Sequence, residues 1–227
     1  MPGLDRPKTL RSAVLVLAIF LVAFLVRHSP AAVQAVRPAS HFTPFLLAAI
    51  FIFCVFSIYW ELASKNSKPA ASSESIFSRA FHMALLNAGL LLLILPISGL
   101  TWRVLPAARI FPWLGLAIEI AGFALAVWAR RALGSNWSGE VRIAADHQLV
   151  RSGPYRLIRH PIYTAMLTMS LGILLVSGQA HALLGWLLIL LAYIRKIRME
   201  EAALTSAFGD AFTAWQRDSW LLLPRVY

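Results

Sequence analysis

The apolar stretch IYTAMLTMSLGILLVSGQAHALLGWLLILLAYI, residues 162–194, decides the fold of this chain. It is longer than the roughly 20 residues that a transmembrane helix needs. The polar and small residues Ser177, Gly178 and Gln179 interrupt it near its middle. The pattern predicts a helical hairpin, in which 162–176 crosses a membrane and 181–197 returns, so that both ends of the hairpin lie on the same side.

Four more apolar runs, at about 12–26, 44–63, 80–100 and 110–129, are candidates to cross the hydrocarbon core. The chain is 59% hydrophobic and only 14% charged, and a water-soluble domain cannot bury that much apolar surface. The sequence therefore predicts an all-α integral membrane protein with about six transmembrane passes. The basic start of the first run also resembles a signal peptide, but we interpret this run as a retained helix.

The formal net charge of +11 does not indicate a nucleic-acid partner. The basic residues lie in short loops between apolar runs, where anionic lipid headgroups supply the counter-charge. The single cysteine, Cys54, lies within an apolar run and excludes an internal disulfide or a cysteine metal cluster. The histidines are scattered along the sequence, so we expect no metal site. The apolar runs and the basic loops make membrane lipids the expected surroundings of the chain.

The distribution of lysine and arginine predicts the orientation. If the N-terminus is cytoplasmic, the basic residues concentrate on the cytoplasmic side, which satisfies the positive-inside rule. Both termini are then cytoplasmic, and we expect the inner membrane of a bacterium. The basic residues left on the opposite side are Arg27, Arg37, Arg103 and Arg109.

The segment SGPYRLIRHPIYT, residues 152–164, is the first candidate site. Arg156, Arg159 and His160 lie within five residues of one another, between prolines and tyrosines, directly before the hairpin. Pro161 predicts a helix start, because proline fits the first turn, where its missing N–H is not needed. Arg159 and His160 should therefore lie at the membrane-surface end of the helix.

The segment IRKIRMEEAALTSAFGDAFTAWQRD, residues 194–218, predicts a C-terminal amphipathic cytoplasmic helix. At 100° per residue one apolar stripe forms, and Glu200 and Glu201 flank it instead of joining the polar face. Carboxylates there need a cation. That cation is either Arg156, Arg159 or Lys196, in a purely structural pairing, or a cationic ligand. The stripe consists of Leu204, Phe208, Ala211, Phe212 and Trp215.

The hairpin brings the two segments together. Because its two helices have similar lengths, His160 and Glu200 should lie at the same cytoplasmic end. We expect a pocket at the membrane surface that a water-soluble cofactor enters from the cytosol and a lipid-tailed substrate enters from the bilayer.

The stretches HQLVRSGPYRLIRHPIYTA and RMEEAALTSAFGDAFTAW, with a terminal LLLPR, resemble the isoprenylcysteine carboxyl methyltransferase family. Related membrane phospholipid methyltransferases share the pattern, which covers about 133–224 here. The shared motifs are Gly153-x-Tyr155, Arg159-His160-Pro161-x-Tyr163, Glu200-Glu201 and Phe208-Gly209.

The resemblance implies methyl transfer from S-adenosylmethionine to a lipophilic or lipidated acceptor, first of all the carboxylate of an isoprenylcysteine-like lipid. It divides the chain into N-terminal transmembrane helices, 1–108, and a methyltransferase core, 109–227. Arg159 and His160 are the implied catalytic residues, and Arg156, Phe212 and Trp215 the candidates for substrate binding. The implied cofactor-binding residues are His147, Leu149, Tyr155, His160, Pro161, Tyr163, Glu200 and Glu201, with Arg159 beside them.

Three departures from the family pattern have consequences. Ala165 replaces a usual glycine, so a looser helix approach is expected there. Phe212 and Trp215 replace two tyrosines, which leaves the acceptor open. Lys196 occupies a position where arginine is frequent in the family. Its ammonium group cannot bind a carboxylate in the two-pronged way that an arginine guanidinium can.

Alternatives remain at this point. A phospholipid or a thiol is another possible acceptor, and it would need deprotonation by His160 or Glu201. An NADPH-dependent reductase of the sterol-reductase kind and a non-enzymatic membrane scaffold or transporter are the rival classes. Glu119, an acid in the middle of an apolar run, is either functional or paired with Asn87 or His82.

Overall fold

The computed structural model describes residues 43–64, 74–134 and 149–224. These residues form six α-helices and no strand, so the predicted all-α class is confirmed. A short 3-10 turn, Gly153–Arg156, precedes the fourth helix. The helices are α1 (Pro44–Ser64), α2 (Ile76–Ile94), α3 (Ile110–Leu133), α4 (Pro161–Ser177), α5 (Ala180–Phe208) and α6 (Asp210–Asp218).

Four of these helices, α1, α2, α3 and α5, are long and apolar enough to cross a membrane, and α4 is a shorter apolar helix of 17 residues. These five helices, α4 included, correspond to five of the six predicted spans. The first predicted span, 12–26, lies outside the described residues.

The predicted hairpin is confirmed in α4 and α5. The chain reverses at Gly178, whose φ of +65° is a left-handed conformation that glycine adopts without strain. Helix α5 continues well past the predicted end at residue 197. Its 29 residues span about 44 Å, more than the ~30 Å hydrocarbon core, so its C-terminal turns extend beyond the membrane.

The third predicted span, 80–100, is shifted in the structure to Ile76–Ile94. The helix begins earlier because the Ser75 hydroxyl caps it, accepting a hydrogen bond from the Ser78 N–H at 3.1 Å. It ends before residue 100 because Pro96 disfavours helical backbone at Leu95, which is extended.

Glycines allow α3 and α4 to pack with their backbones close together. A Cβ added to Gly172 would lie 2.6 Å from the Gly115 carbonyl oxygen, which leaves no room for a side chain. The looser approach expected at Ala165 is wrong. Ala165 is fully buried, and Gly122 on the facing helix lies against its carbonyl, so α3 supplies the missing space.

The C-terminal amphipathic helix predicted from residues 194–218 is present as α6, but it is shorter than that segment, because α5 continues to Phe208. The backbone turns at Gly209, with φ +49°, and separates α5 from the short helix α6. Phe212 and Trp215 are buried against Tyr155, as the apolar stripe predicted. Ala211 is exposed instead, because the turn at Gly209 breaks the 100° periodicity on which its position was based.

The residues after α6 return to the start of α4. We call residues 219–222 the C-terminal tail. The Arg159 N–H donates to the Trp220 carbonyl (2.8 Å) and the His160 N–H to the Leu221 carbonyl (3.2 Å). The Thr164 hydroxyl donates to the Leu222 carbonyl at 2.7 Å. The tail therefore fixes the backbone of the predicted site at the start of α4, with Leu222 packed against the core of the apolar helices.

Candidate active site

Arg159 and His160 lie where the sequence predicted, directly before the first turn of α4. Pro161 occupies that first turn and is buried, and the His160 carbonyl accepts a hydrogen bond from the Thr164 N–H at 3.0 Å. Because the tail also holds both backbone N–H groups, the two side chains project from a fixed backbone.

Glu201 is the centre of the hydrogen-bond network. Its Oε1 accepts from the Arg159 Nε at 2.7 Å and lies 3.2 Å from the His160 Nε2. Its Oε2 accepts from the Gln216 Nε2 at 3.1 Å. The structural alternative, in which a glutamate pairs with Arg159, therefore holds for Glu201.

Glu200 is less completely neutralised. It accepts a hydrogen bond from the Tyr163 hydroxyl, and its Oε2 lies 3.6 Å from the His160 Nδ1. In the part of the chain that the structure describes, no lysine or arginine forms an ion pair with it. Its side chain is 21% exposed, so a cation can reach it from solvent.

The rings beside the carboxylates form a stack. The His160 ring lies on Tyr163 with centroids 5.7 Å apart, and Tyr163 lies on Tyr193 at 5.0 Å. Burial and the nearby negative charge of Glu200 hold the pKa of the Tyr155 phenol well above its usual range. Tyr155 therefore stays neutral and contributes an apolar ring rather than a charge.

The Arg159 guanidinium is only partly engaged. Nη1 donates to the Ser219 carbonyl at 2.6 Å and to the Gln216 carbonyl at 3.2 Å, while Nε is held by Glu201. Nη2 makes no hydrogen bond to the described residues. The described residues thus fix one edge of the guanidinium through Nε and Nη1.

A cavity of about 500 Å³ opens beside this arginine. It lies between the end of α5, α6 and the tail, so a polar ligand has access to Arg159 and Glu201. Its walls consist of Arg159, Glu201, Gln216, Arg217, Asp218, Ser219, Trp220 and Leu221.

Other predicted site residues lie apart from this network. Arg156 is exposed on the 3-10 turn. Phe212 and Trp215 are buried in a hydrophobic cluster with Tyr155, and Leu149 packs at its edge. In this conformation the side chains of Phe212, Trp215 and Leu149 pack in the cluster around Tyr155 and not in the hydrogen-bond network. Their roles in binding, and that of Arg156, stay predictions. His147 lies outside the described residues.

Two residues of the network were not predicted, Gln216 and Ser219. Gln216 lies on neither face of the predicted amphipathic helix, and Ser219 follows the end of α6. Their role depends on the return of the tail to α4, for which the local sequence has no signal.

Glu119 is separate from the network. It is fully buried at the interface of α3 and α4, and neither of its carboxylate oxygens has a hydrogen-bond partner among the described residues. Of the two alternatives for Glu119, the pairing with Asn87 or His82 is not present in the structure. The Asn87 amide donates to the Met83 carbonyl on its own helix, and the His82 ring lies against Tyr193.

Among the described residues, no group of three or more His, Cys, Asp or Glu side chains is arranged to hold a metal ion. The groups that converge here are two carboxylates, one guanidinium, one imidazole and phenol rings. Such a set is suited to binding a cationic organic molecule next to an anionic one.

Comparisons with known proteins agree with this arrangement. The model of the isoprenylcysteine carboxyl methyltransferase (ICMT) family matches residues 113–206, which include both halves of the network. A protein-S-isoprenylcysteine O-methyltransferase of Schizosaccharomyces pombe is 34% identical over 73 residues, which are 32% of this chain and 31% of that protein. One from Dictyostelium discoideum is 24% identical over 187 residues, 80% of this chain and 76% of that protein.

The fold is also shared with a solved structure. The eukaryotic intramembrane Ras methyltransferase ICMT superposes with a TM-score of 0.52 over 99% of this chain and 88% of its own, at 18% identity. Together with the apolar helices, this likeness makes the protein an integral membrane protein. The family match over residues 113–206, the two relatives and the common fold make this chain similar to the isoprenylcysteine carboxyl methyltransferase family.

Proposed function

We propose that this protein transfers a methyl group from S-adenosylmethionine to the carboxylate of an isoprenylcysteine-like lipid. The observation that carries the proposal is the contrast between two adjacent glutamates. Among the described residues, Glu201 is held by Arg159, His160 and Gln216, whereas Glu200, one residue before it, contacts a tyrosine hydroxyl and a more distant histidine. The site thus retains negative charge next to a partly free arginine.

The residues fit the proposed cofactor. S-adenosylmethionine has an ammonium and a sulfonium group, and Glu200 provides the carboxylate that a buried or half-buried cation requires. Tyr155 and Tyr163 provide ring faces for cation–π contact or stacking. When bound, this cofactor supplies an activated methyl group. Leu149, His160 and Pro161 adjoin these residues, and His147 completes the proposed set.

The geometry favours a carboxylate acceptor over an amine or a thiol. A carboxylate is already ionised at neutral pH, whereas an amine or a thiol has to lose a proton to a general base. Both ring nitrogens of His160 face glutamate oxygens, so neither is directed toward a substrate proton. Glu201 is also fully occupied, while Arg159 has an N–H group left for an anion.

The protein's contribution is mainly positional. Fixing an anion on Arg159 and a cation on Glu200 aligns two reactants, and such alignment is a large part of catalysis. Both side chains stand at the end of apolar helices. A lipid tail can therefore lie among the helices while the polar groups remain at the surface.

A binding and transfer experiment tests the proposal. We expect the purified protein to bind S-adenosylhomocysteine in a calorimetric titration and to methylate prenylcysteines in preference to phospholipids or small thiols. Methylation of only a thiol or a phospholipid would support the methyltransferase activity but contradict the proposed acceptor. Binding of NADPH with no binding of S-adenosylhomocysteine would contradict the proposal in favour of a reductase.

A further inference from the structure

A buried ion pair lies next to the active site and has no part in the proposed reaction. The Lys196 Nζ donates to the Glu74 Oε2 at 2.5 Å, and both side chains are almost completely inaccessible. Glu74 directly precedes α2, whereas Lys196 lies on α5. The pair therefore joins the N-terminal helices to the helix that holds Glu200.

Glu74 is charged in this position. Burial alone would raise the pKa of its carboxyl group, but hydrogen bonds from Lys196 and Ser78 outweigh burial and hold the pKa below its usual range. The Ser78 hydroxyl donates to the Glu74 Oε1 at 2.9 Å. The carboxylate is thus fixed on the side of Lys196 that faces α2.

Lys196 has a second carboxylate within reach. Lys196 and Glu200 are four residues apart on α5, so they occupy the same face of the helix, one turn apart. The charges of Lys196 and of Glu74 both act on the Glu200 carboxylate. The ammonium group stands on a flexible four-carbon stem, which allows it to turn toward either acid.

A buried ammonium group requires an anionic partner, because an unpaired charge there is strongly unfavourable. Without Glu74, the nearest partner for Lys196 along its own helix is Glu200. That new pair would neutralise the carboxylate that we assign to the cationic cofactor. We infer that Glu74 is a positioning residue, which holds Lys196 away from Glu200 and thereby keeps Glu200 available for a cationic ligand. This inference rests on the proposed function.

The test is a set of calorimetric titrations of the full-length protein with S-adenosylmethionine. Glu74→Gln keeps the shape of the side chain and releases Lys196, so we expect the affinity to fall by about tenfold or more. Lys196→Met removes the competing cation and should leave the affinity within about twofold of the wild type. The double variant Glu74→Gln/Lys196→Met should restore it, although it lacks the ion pair entirely.

Matched variants separate this effect from simple destabilisation. Ser78→Ala removes the hydrogen bonds that its hydroxyl donates to Glu74 and accepts from Arg195 but leaves the ion pair, so the affinity should not change. Thermal unfolding without ligand should show losses of stability for both Glu74→Gln and Lys196→Met, because each breaks the buried ion pair between α5 and the residues before α2. If Glu74→Gln does not fold, Glu74→Asp, with its shorter side chain, should show a smaller loss of affinity that Lys196→Met again removes.

The outcomes distinguish the inference from the function on which it rests. Equal losses of affinity in Glu74→Gln and Lys196→Met, with no recovery in the double variant, would mean that the pair only fixes the helices and would overturn the inference. An unchanged affinity in Glu74→Gln would overturn it too. If the wild type binds S-adenosylmethionine in those cases, the proposed function stands. If the wild type does not bind it, both fail.

Discussion

Glu200 and Glu201 are neighbours in sequence but differ in their surroundings, and this difference gives the first prediction. Glu200→Gln should weaken S-adenosylmethionine binding by about 1.5–3 kcal/mol, the range for a hydrogen bond to a charged group. Glu201→Gln should weaken it less, because the Glu201 oxygens are occupied by Arg159, His160 and Gln216. Calorimetry on both variants measures the contrast. A larger loss of affinity in Glu201→Gln would reverse the assignment.

Arg159 and Arg156 make a second matched pair, three residues apart. Arg159 is fixed by Glu201 and Ser219, and its Nη2 has no hydrogen bond to the described residues, whereas Arg156 is exposed. Arg159→Ala should reduce methyl transfer more than tenfold, in the range seen when a group that stabilises developing or fixed charge is removed. Arg156→Ala should have little effect. Equal and small effects in a transfer assay would make the segment a membrane anchor only.

At the scale of helices, the contact between α3 and α4 depends on glycine. Gly172→Ala should destabilise the protein by about 1–3 kcal/mol, because its Cβ would approach the backbone of Gly115, which cannot rotate away as a side chain can. Leu184→Phe adds volume on an exposed position of α5 and is the control. Thermal unfolding in detergent compares the two. Equal stability of both variants would contradict the close packing.

The helix boundaries show which features of the fold the local sequence pattern predicts and which it does not. The hairpin turn at Gly178 and the start of α4 at Pro161 followed from glycine and proline, whose backbone preferences act over one or two residues. The split at Gly209 was missed because periodicity was extended through a glycine that ends the helix. Ala211, predicted to be buried, is exposed for that reason.

At the scale of the whole molecule, the charge distribution predicts the orientation. The exposed Ala107 lies in the loop that bonds to the hairpin turn, and the exposed Ser206 lies at the active-site end of α5. In a Cys54→Ser background, Ala107→Cys should react with an impermeant thiol reagent from the non-cytoplasmic side, and Ser206→Cys from the cytoplasmic side. The reverse labelling pattern would contradict cytoplasmic termini. These positions suit the experiment because Ser177 and Gly178 are themselves buried.

The sequence by itself determined the class, the hairpin and the meeting of two motifs at one end of it. These follow from apolar length, from the backbone preferences of proline and glycine, and from the similar lengths predicted for 162–176 and 181–197. The sequence alone also contained the match to a known motif pattern, which consists of Arg159, His160, Tyr163, Glu200 and Glu201.

The tertiary structure decided which charge pairs with which. Glu200 and Glu201 differ because the packing brings Arg159 and the α6 residue Gln216 to Glu201. Lys196 bonds to Glu74, 122 positions away, rather than to Glu200 one turn along its helix. A charged side chain pairs with whichever opposite charge the packing brings within a few ångströms. The distance between two charged side chains on different helices is set by how those helices pack. Unlike periodicity, this distance is not encoded in the local sequence pattern.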